Sequence, residues 1–179
     1  MRRITLLTLL VCLGCSIAFG QEYSKAEAFG GFEYMNFDAF GVQRVNLLGW
    51  NGQATYYFHK NIGITADIGG AYGKPTVGGF ENTVHVYSYN FGPTLRMSTG
   101  NTTPFIHALF GMTHTDIDSG ALHGNWFSFA LGGGYDVGVT KSLAIRAFQF
   151  DYMHTGYNYA LGNSSQNHIR LSTGVVFKL

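Results

Sequence analysis

Seven histidines have the widest chemical reach in this chain: His59, His85, His107, His114, His123, His154 and His168. A metal centre would need several of them converging, commonly with cysteine or carboxylate partners at short spacing. No two stand four residues apart, and no cysteine or acidic cluster accompanies them. They read as solvated or hydrogen-bonded side chains, and no metal or other cofactor is expected. The run Gly132-Gly133-Gly134 would cradle a phosphate only between a strand and a helix. No helical pattern follows it, so these glycines read as relief of curvature beside large neighbours. The remaining chemistry belongs to nine charged residues that share one parity: Glu27, Glu33, Asp67, Arg96, Asp136, Arg146, Asp151, Arg170 and Lys178. Five are acids and four are bases, so they can neutralise one another away from water, as buried charges must.

The elements that position these charges follow from composition and period. Charged residues make up 12% of the 179, about half the share of an ordinary soluble domain. An ordinary water-facing surface is thereby excluded. A formal net charge of +1 argues against a nucleic-acid binder. Alternation with period two recurs along the chain, and helical period is almost absent. In the last segment Ile169, Leu171, Thr173, Val175, Phe177 and Leu179 oppose His168, Arg170, Ser172, Gly174, Val176 and Lys178. The expected strands are 24–36, 47–58, 62–72, 83–97, 104–114, 125–139, 143–154 and 167–179. Connections of ten to twelve residues (37–46, 73–82, 115–124 and 155–166) alternate with shorter ones (59–61, 98–103 and 140–142). That order fits an up-and-down barrel with both termini on the short-turn side.

The first twenty residues are an export address. Met1-Arg2-Arg3 is basic, Ile4 to Leu13 is an apolar run, and Ala18-Phe19-Gly20 places small residues before Gln21. This three-part form predicts a signal peptide, 1–20, cleaved before Gln21. The apolar run is short for a spanning helix. A lipoprotein site at Cys15 is the other reading, with Cys12 where leucine is usual. Cleavage before Gln21 removes both cysteines and leaves one domain, 21–179.

Which face points outward is decided by charge. A lipocalin-like carrier has the same period with its apolar face inside. Nine charges are too few to solvate a barrel exterior, but they suit a narrow lumen. The opposite face is nearly free of charge, as lipid requires, because a mid-membrane Arg or Lys costs about 2–4 kcal/mol. Closure is then required, since lipid offers no partner to a sheet edge. Trp50, Tyr56, Tyr57, Phe58, Tyr72, Tyr87, Tyr89, Phe127, Tyr135, Tyr152 and Phe177 are expected to form interfacial girdles. One strand breaks parity: Arg146 cannot share a face with Gln149 and Asp151 unless a bulge lies near Ala147–Phe148.

Three stretches carry a resemblance. Ser172 to Leu179 resembles the terminal β-signal of outer-membrane proteins, through Gly174, Phe177 and Leu179, with leucine where phenylalanine is usual. Leu48-Gly49-Trp50-Asn51-Gly52 leading to Gly63-Ile64-Thr65-Ala66-Asp67, and Pro104 to Gly111, resemble the bacterial outer-membrane β-barrel domain family, broadly the OmpA/OmpX-type small barrels. The resemblance covers nearly all of 22–179. It implies an all-β, eight-stranded antiparallel transmembrane barrel, recognition by the barrel-assembly machinery, and residence among outer-membrane lipid and lipopolysaccharide. The segment Tyr152 to Asn158 is similar to part of the lipid A deacylase family. Gly156 stands where that family has serine, and no glutamate follows His154. An enzyme is therefore not expected. The expected function is structural: a monomeric barrel presenting four external loops, its lumen largely plugged by Glu27, Glu33, Asp67, Arg96, Asp136, Arg146, Asp151 and Arg170. The alternatives are a low-conductance pore for ions or small solutes and an adhesin-like surface protein.

Overall fold

Alternation becomes geometry in a computed structural model that describes residues 24–39, 43–77, 80–117, 122–159 and 162–179. The expected signal segment and its cleavage point lie outside the described residues. Ten strands follow in chain order: β1 (Ala26–Ala39), β2 (Gln43–His59), β3 (Ile62–Gly73), β4 (Thr76–Val77), β5 (Phe80–Glu81), β6 (Val84–Arg96), β7 (Thr102–Ile117), β8 (Leu122–Gly138), β9 (Leu143–Tyr159) and β10 (Gly162–Lys178). Eight of them close into an antiparallel barrel in the order β1-β10-β9-β8-β7-β6-β3-β2. Every long strand pairs with its sequence neighbours, and β1 pairs with β10 to complete the ring. The two-residue strands β4 and β5 form a hairpin of their own within the β3–β6 connection.

The alternating pattern sets which side chains enter. Along β6 every even residue is buried, His85 and Tyr87 are half-buried, and the odd residues from Tyr89 to Leu95 are exposed. Arg170 has 0% of its surface exposed, whereas Phe91 has 63%. The apolar face therefore points outward, which removes the lipocalin arrangement. Leu48, Ile68, Ile106, Phe110, Leu131, Phe150 and Leu171 belong to that outer face.

The strands run further than the outward-apolar alternation does. β1 reaches Ala39 and β2 starts at Gln43, so only three residues separate them. Likewise β7 and β8 leave 118–121 between them, and β9 and β10 leave 160–161. The expected long loops 37–46, 115–124 and 155–166 are thus mostly strand. In the β1–β2 extension the contrast reverses, with Phe37, Val45 and Leu47 inward and Asp38, Arg44 and Asn46 alternating with them, yet the ladder needs only backbone partners and continues. The connection 74–83 alone keeps its length, and it contains the small hairpin.

The parity break in β9 is a bulge. Asp136 pairs with Arg146 but Tyr135 pairs with Phe148, which leaves Ala147 as the extra residue. Across the other edge, Ser172 pairs with Gln149 and Gly174 with Arg146. Ala147 and Phe148 are consecutive and both exposed, so Arg146, Gln149 and Asp151 all turn inward. The Thr173 hydroxyl donates to the Arg146 carbonyl at 2.9 Å beside the bulge.

Most of the expected girdle residues face outward, among them Trp50, Tyr56, Phe58, Tyr89, Phe127, Tyr152 and Phe177. Tyr57 does not. It shares parity with Asn51 and Gln53 and is buried in the lumen.

Candidate functional site

The lumen carries three tiers of charge, followed from the end that holds both termini. In the first tier Arg96 at the close of β6 meets Glu27 at the start of β1, their side chains bonded directly. The Arg96 guanidinium lies 3.5 Å from the Tyr57 ring centroid, and the Tyr57 hydroxyl donates to Glu27 at 3.2 Å. Arg96 also donates to the carbonyls of Ser24 and Lys60 at 2.8 and 3.1 Å. A bare guanidinium costs several kcal/mol to bury, and these partners offset that cost.

In the second tier Arg146 grips Asp136 with two bonds, Nε to Oδ1 at 2.8 Å and Nη2 to Oδ2 at 3.1 Å. Its Nη1 donates to Gln53 Oε1 and to Gln149 Oε1, both at 2.6 Å. The rings of Phe29 and Phe105 each lie 4.2 Å from its Cζ. Planar donors matched to carboxylate and aromatic faces are what arginine supplies and lysine does not.

In the third tier Arg170 holds Asp67 through Nη1 and Nη2 at 2.9 and 3.0 Å and donates from Nε to Asp151 at 2.8 Å. His107 bonds to the other Asp151 oxygen at 2.6 Å. Asn51 and Gln53 donate to Asp67 at 2.9 and 2.8 Å, and Gln149 donates to Asp151 at 2.7 Å. Glu33 stands 3.7 Å from Arg170 Nη1, and neither of its carboxylate oxygens has a hydrogen-bond partner.

Gln53 and Gln149 tie the second tier to the third. Each turns its amide oxygen to Arg146 and its amide nitrogen to an aspartate. The result is a closed ring of six side chains: Arg146, Gln149, Asp151, Arg170, Asp67 and Gln53. Beyond it Met35, Phe37, Val45, Leu47, Val86, Leu109 and Met153 pack in one apolar cluster, with Thr113, Thr115, Gln166 and His168 buried on the same inward faces.

All eight charged residues singled out for the lumen face it, and Lys178 is half-buried at its terminal end. Sequence reasoning missed the amides, His107 and the apolar cluster as parts of the plug. Parity was available for all of them, since Asn51, Gln53 and Gln149 alternate with outward residues. Polar but uncharged side chains simply carry no sign that demands a partner. Of the three terminal residues, Gly174 lies against Gly31 on β1, Phe177 points outward, and the Leu179 amide donates to the Ala26 carbonyl at 2.8 Å. His154 bonds to Asn167 at 2.7 Å rather than to any nucleophile. Among the described residues no group of three metal-ligating side chains comes together.

An outward apolar band, a closed ring of eight strands and charges turned inward define the transmembrane class of barrel. Comparison with solved structures places the fold among small eight-stranded outer-membrane barrels. Neisserial surface protein A matches with a TM-score of 0.69 at 12% identity, over 89% of this chain and 100% of that one. Ail, the attachment invasion locus protein of Yersinia pestis, matches at 0.54 and 16%, over 87% and 99%. The N-terminal β-barrel domain of Pseudomonas aeruginosa OprF matches at 0.50 and 12%, over 88% and 100%. These neighbours are bacterial outer-membrane proteins, and at such identities the likeness is one of fold. No family model matches the chain, and no curated protein matches it.

Proposed function

We propose that this chain is a structural outer-membrane barrel whose lumen is sealed by its own side chains, with no catalytic role. The observation that carries this reading is the six-membered ring of Arg146, Gln149, Asp151, Arg170, Asp67 and Gln53, stacked under an apolar cluster. An eight-stranded barrel is just wide enough for side chains to fill. Here the charged and amide side chains of the ring bond to one another across that width, which supports the sealed reading. The chain is exported by residues 1–20, cleaved before Gln21, and inserted as a monomer by the barrel-assembly machinery. Gly174, Phe177 and Leu179 serve as the terminal recognition signal. Both termini face the periplasm, and the β1–β2, β3–β6, β7–β8 and β9–β10 connections face outward among lipopolysaccharide.

Two measurements test this. Expressed with its leader, the protein is expected in the outer-membrane fraction, with an SDS-gel band that shifts on boiling. A soluble periplasmic product with no shift refutes the membrane reading. In planar bilayers the pure protein is expected to give no steady conductance steps. Regular steps from the wild type would make it the low-conductance pore instead.

A further inference from the structure

The barrel's two ends differ in charge. Lys25 precedes β1, Lys60 sits in the β2–β3 turn, Lys141 in the β8–β9 turn, and Lys178 closes β10, all at the terminal end. Among the described residues no exposed acidic side chain accompanies them there, because Glu27 and Asp136 are turned inward onto Arg96 and Arg146. The opposite end mixes Arg44 and Lys74 with Asp38, Glu81 and Asp116. The terminal rim is therefore cationic.

On the outer wall at the terminal end lies a groove of about 400 Å³, with Ala26, Glu27 and Leu179 among its lining residues. Its floor is a cross-strand row of alanines, with Ala28 opposite Ala54 and Ala54 opposite Ala66. Its walls are Tyr56, Ile64 and Phe91. Next to this row on the outer face Gly30 pairs with Gly52, so the depression continues along β1 and β2 as far as Phe32 and Trp50. Lys25 directly precedes Ala26 at the groove's foot, and its carbonyl accepts from the Tyr57 amide at 2.7 Å. Lys60 lies in the turn that joins the groove's other two strands, β2 and β3.

We propose that this groove with Lys25 and Lys60 is a binding site for an anionic phospholipid of the periplasmic leaflet. The inference rests on the membrane-spanning reading above. One acyl chain lies along the alanine floor, and the phosphate meets the two ammonium groups at the rim. Apolar contact fixes the chain, and the charge selects anionic over zwitterionic headgroups.

Native mass spectrometry of the folded barrel, released from zwitterionic detergent with equimolar phosphatidylglycerol and phosphatidylcholine of the same chains, tests it. The wild type is expected to retain phosphatidylglycerol preferentially. Lys25→Gln and Lys60→Gln are each expected to lower that preference about fivefold, whereas Lys141→Gln leaves it unchanged. Ala54→Phe, which fills the floor, is expected to release both lipids. Ala28→Phe replaces it if Ala54→Phe gives no boiling-shifted band. Equal retention of the two lipids by the wild type, or unchanged retention in the lysine or groove variants, overturns the site. Failure of the membrane reading looks different, because the wild type would then lack the gel shift and stay soluble without detergent.

Discussion

Arg146 and Glu33 are both charged and both buried, yet the lumen treats them differently. Arg146 donates to Asp136, Gln53 and Gln149. Its removal strands an aspartate and two amides at once. Arg146→Met is expected to cost about 3–5 kcal/mol, read as a lower unfolding midpoint in urea with detergent present. Glu33 is a third carboxylate around one guanidinium and accepts no hydrogen bond. Glu33→Gln keeps its volume and removes charge that gains little. Its midpoint is expected within about 1 kcal/mol of the wild type, while Asp151→Asn, which weakens bonds to Arg170 and His107, is expected to fall by several times that. Equal losses for the two acid variants would show that the network responds to total charge rather than to particular bonds.

At the level of the strand, one feature decides whether the barrel closes and a second sets which residues turn inward. Gly174 and Gly31 face each other where β10 meets β1. A Cβ on Gly174 would lie 2.3 Å from the Gly30 carbonyl oxygen and 2.5 Å from the Gly31 Cα. Both are backbone atoms of the closing seam and cannot move aside alone. Gly174→Ala is expected to lose the boiling-shifted band both in cells and on refolding from urea into micelles. Loss in cells alone would assign Gly174 to recognition by the assembly machinery instead. The second feature is the bulge in β9. Deleting Ala147 removes the extra residue and leaves Arg146, Phe148 and Gln149 alternating inward, outward and inward opposite Asp136, Tyr135 and Gly134. Arg146 keeps Asp136 across the ladder, so the boiling-shifted band is expected to survive that deletion, and its loss would show that the bulge itself is needed for closure.

Taken whole, the barrel inverts a soluble protein: polar atoms bond inside and apolar side chains cover the outside. Its lumenal ion pairs are buried, so mobile ions screen them poorly. The temperature of the gel shift is therefore expected to change little between 0.1 and 1 M salt, measured at fixed detergent. A steep fall with salt would place the stabilising charges at the rims instead. The apolar cluster above the ring lies wholly inside the barrel. Leu109→Ala would open a cavity within it, at an expected cost of about 2–5 kcal/mol, seen again in the urea midpoint.

What the chain declares by itself is its period and its sign pattern. Alternation along β2, β6 and β10 fixes which residues share a face, because strand side chains repeat every two residues. The scarcity of charge on one face assigns that face to lipid. Even the bulge at Ala147–Phe148 is legible, since Arg146 and Asp151 cannot both face inward without it. The tertiary structure alone decides which charges meet. Arg170 and Asp67 are 103 residues apart, and only the closed ring with its stagger brings them to one depth. It alone decides how far the strands extend, because β1 and β9 continue on backbone bonds after their outward-apolar contrast has ended. And it alone recruits Gln53, Gln149 and His107, whose place in the ring depends on distances across the lumen that no local spacing encodes.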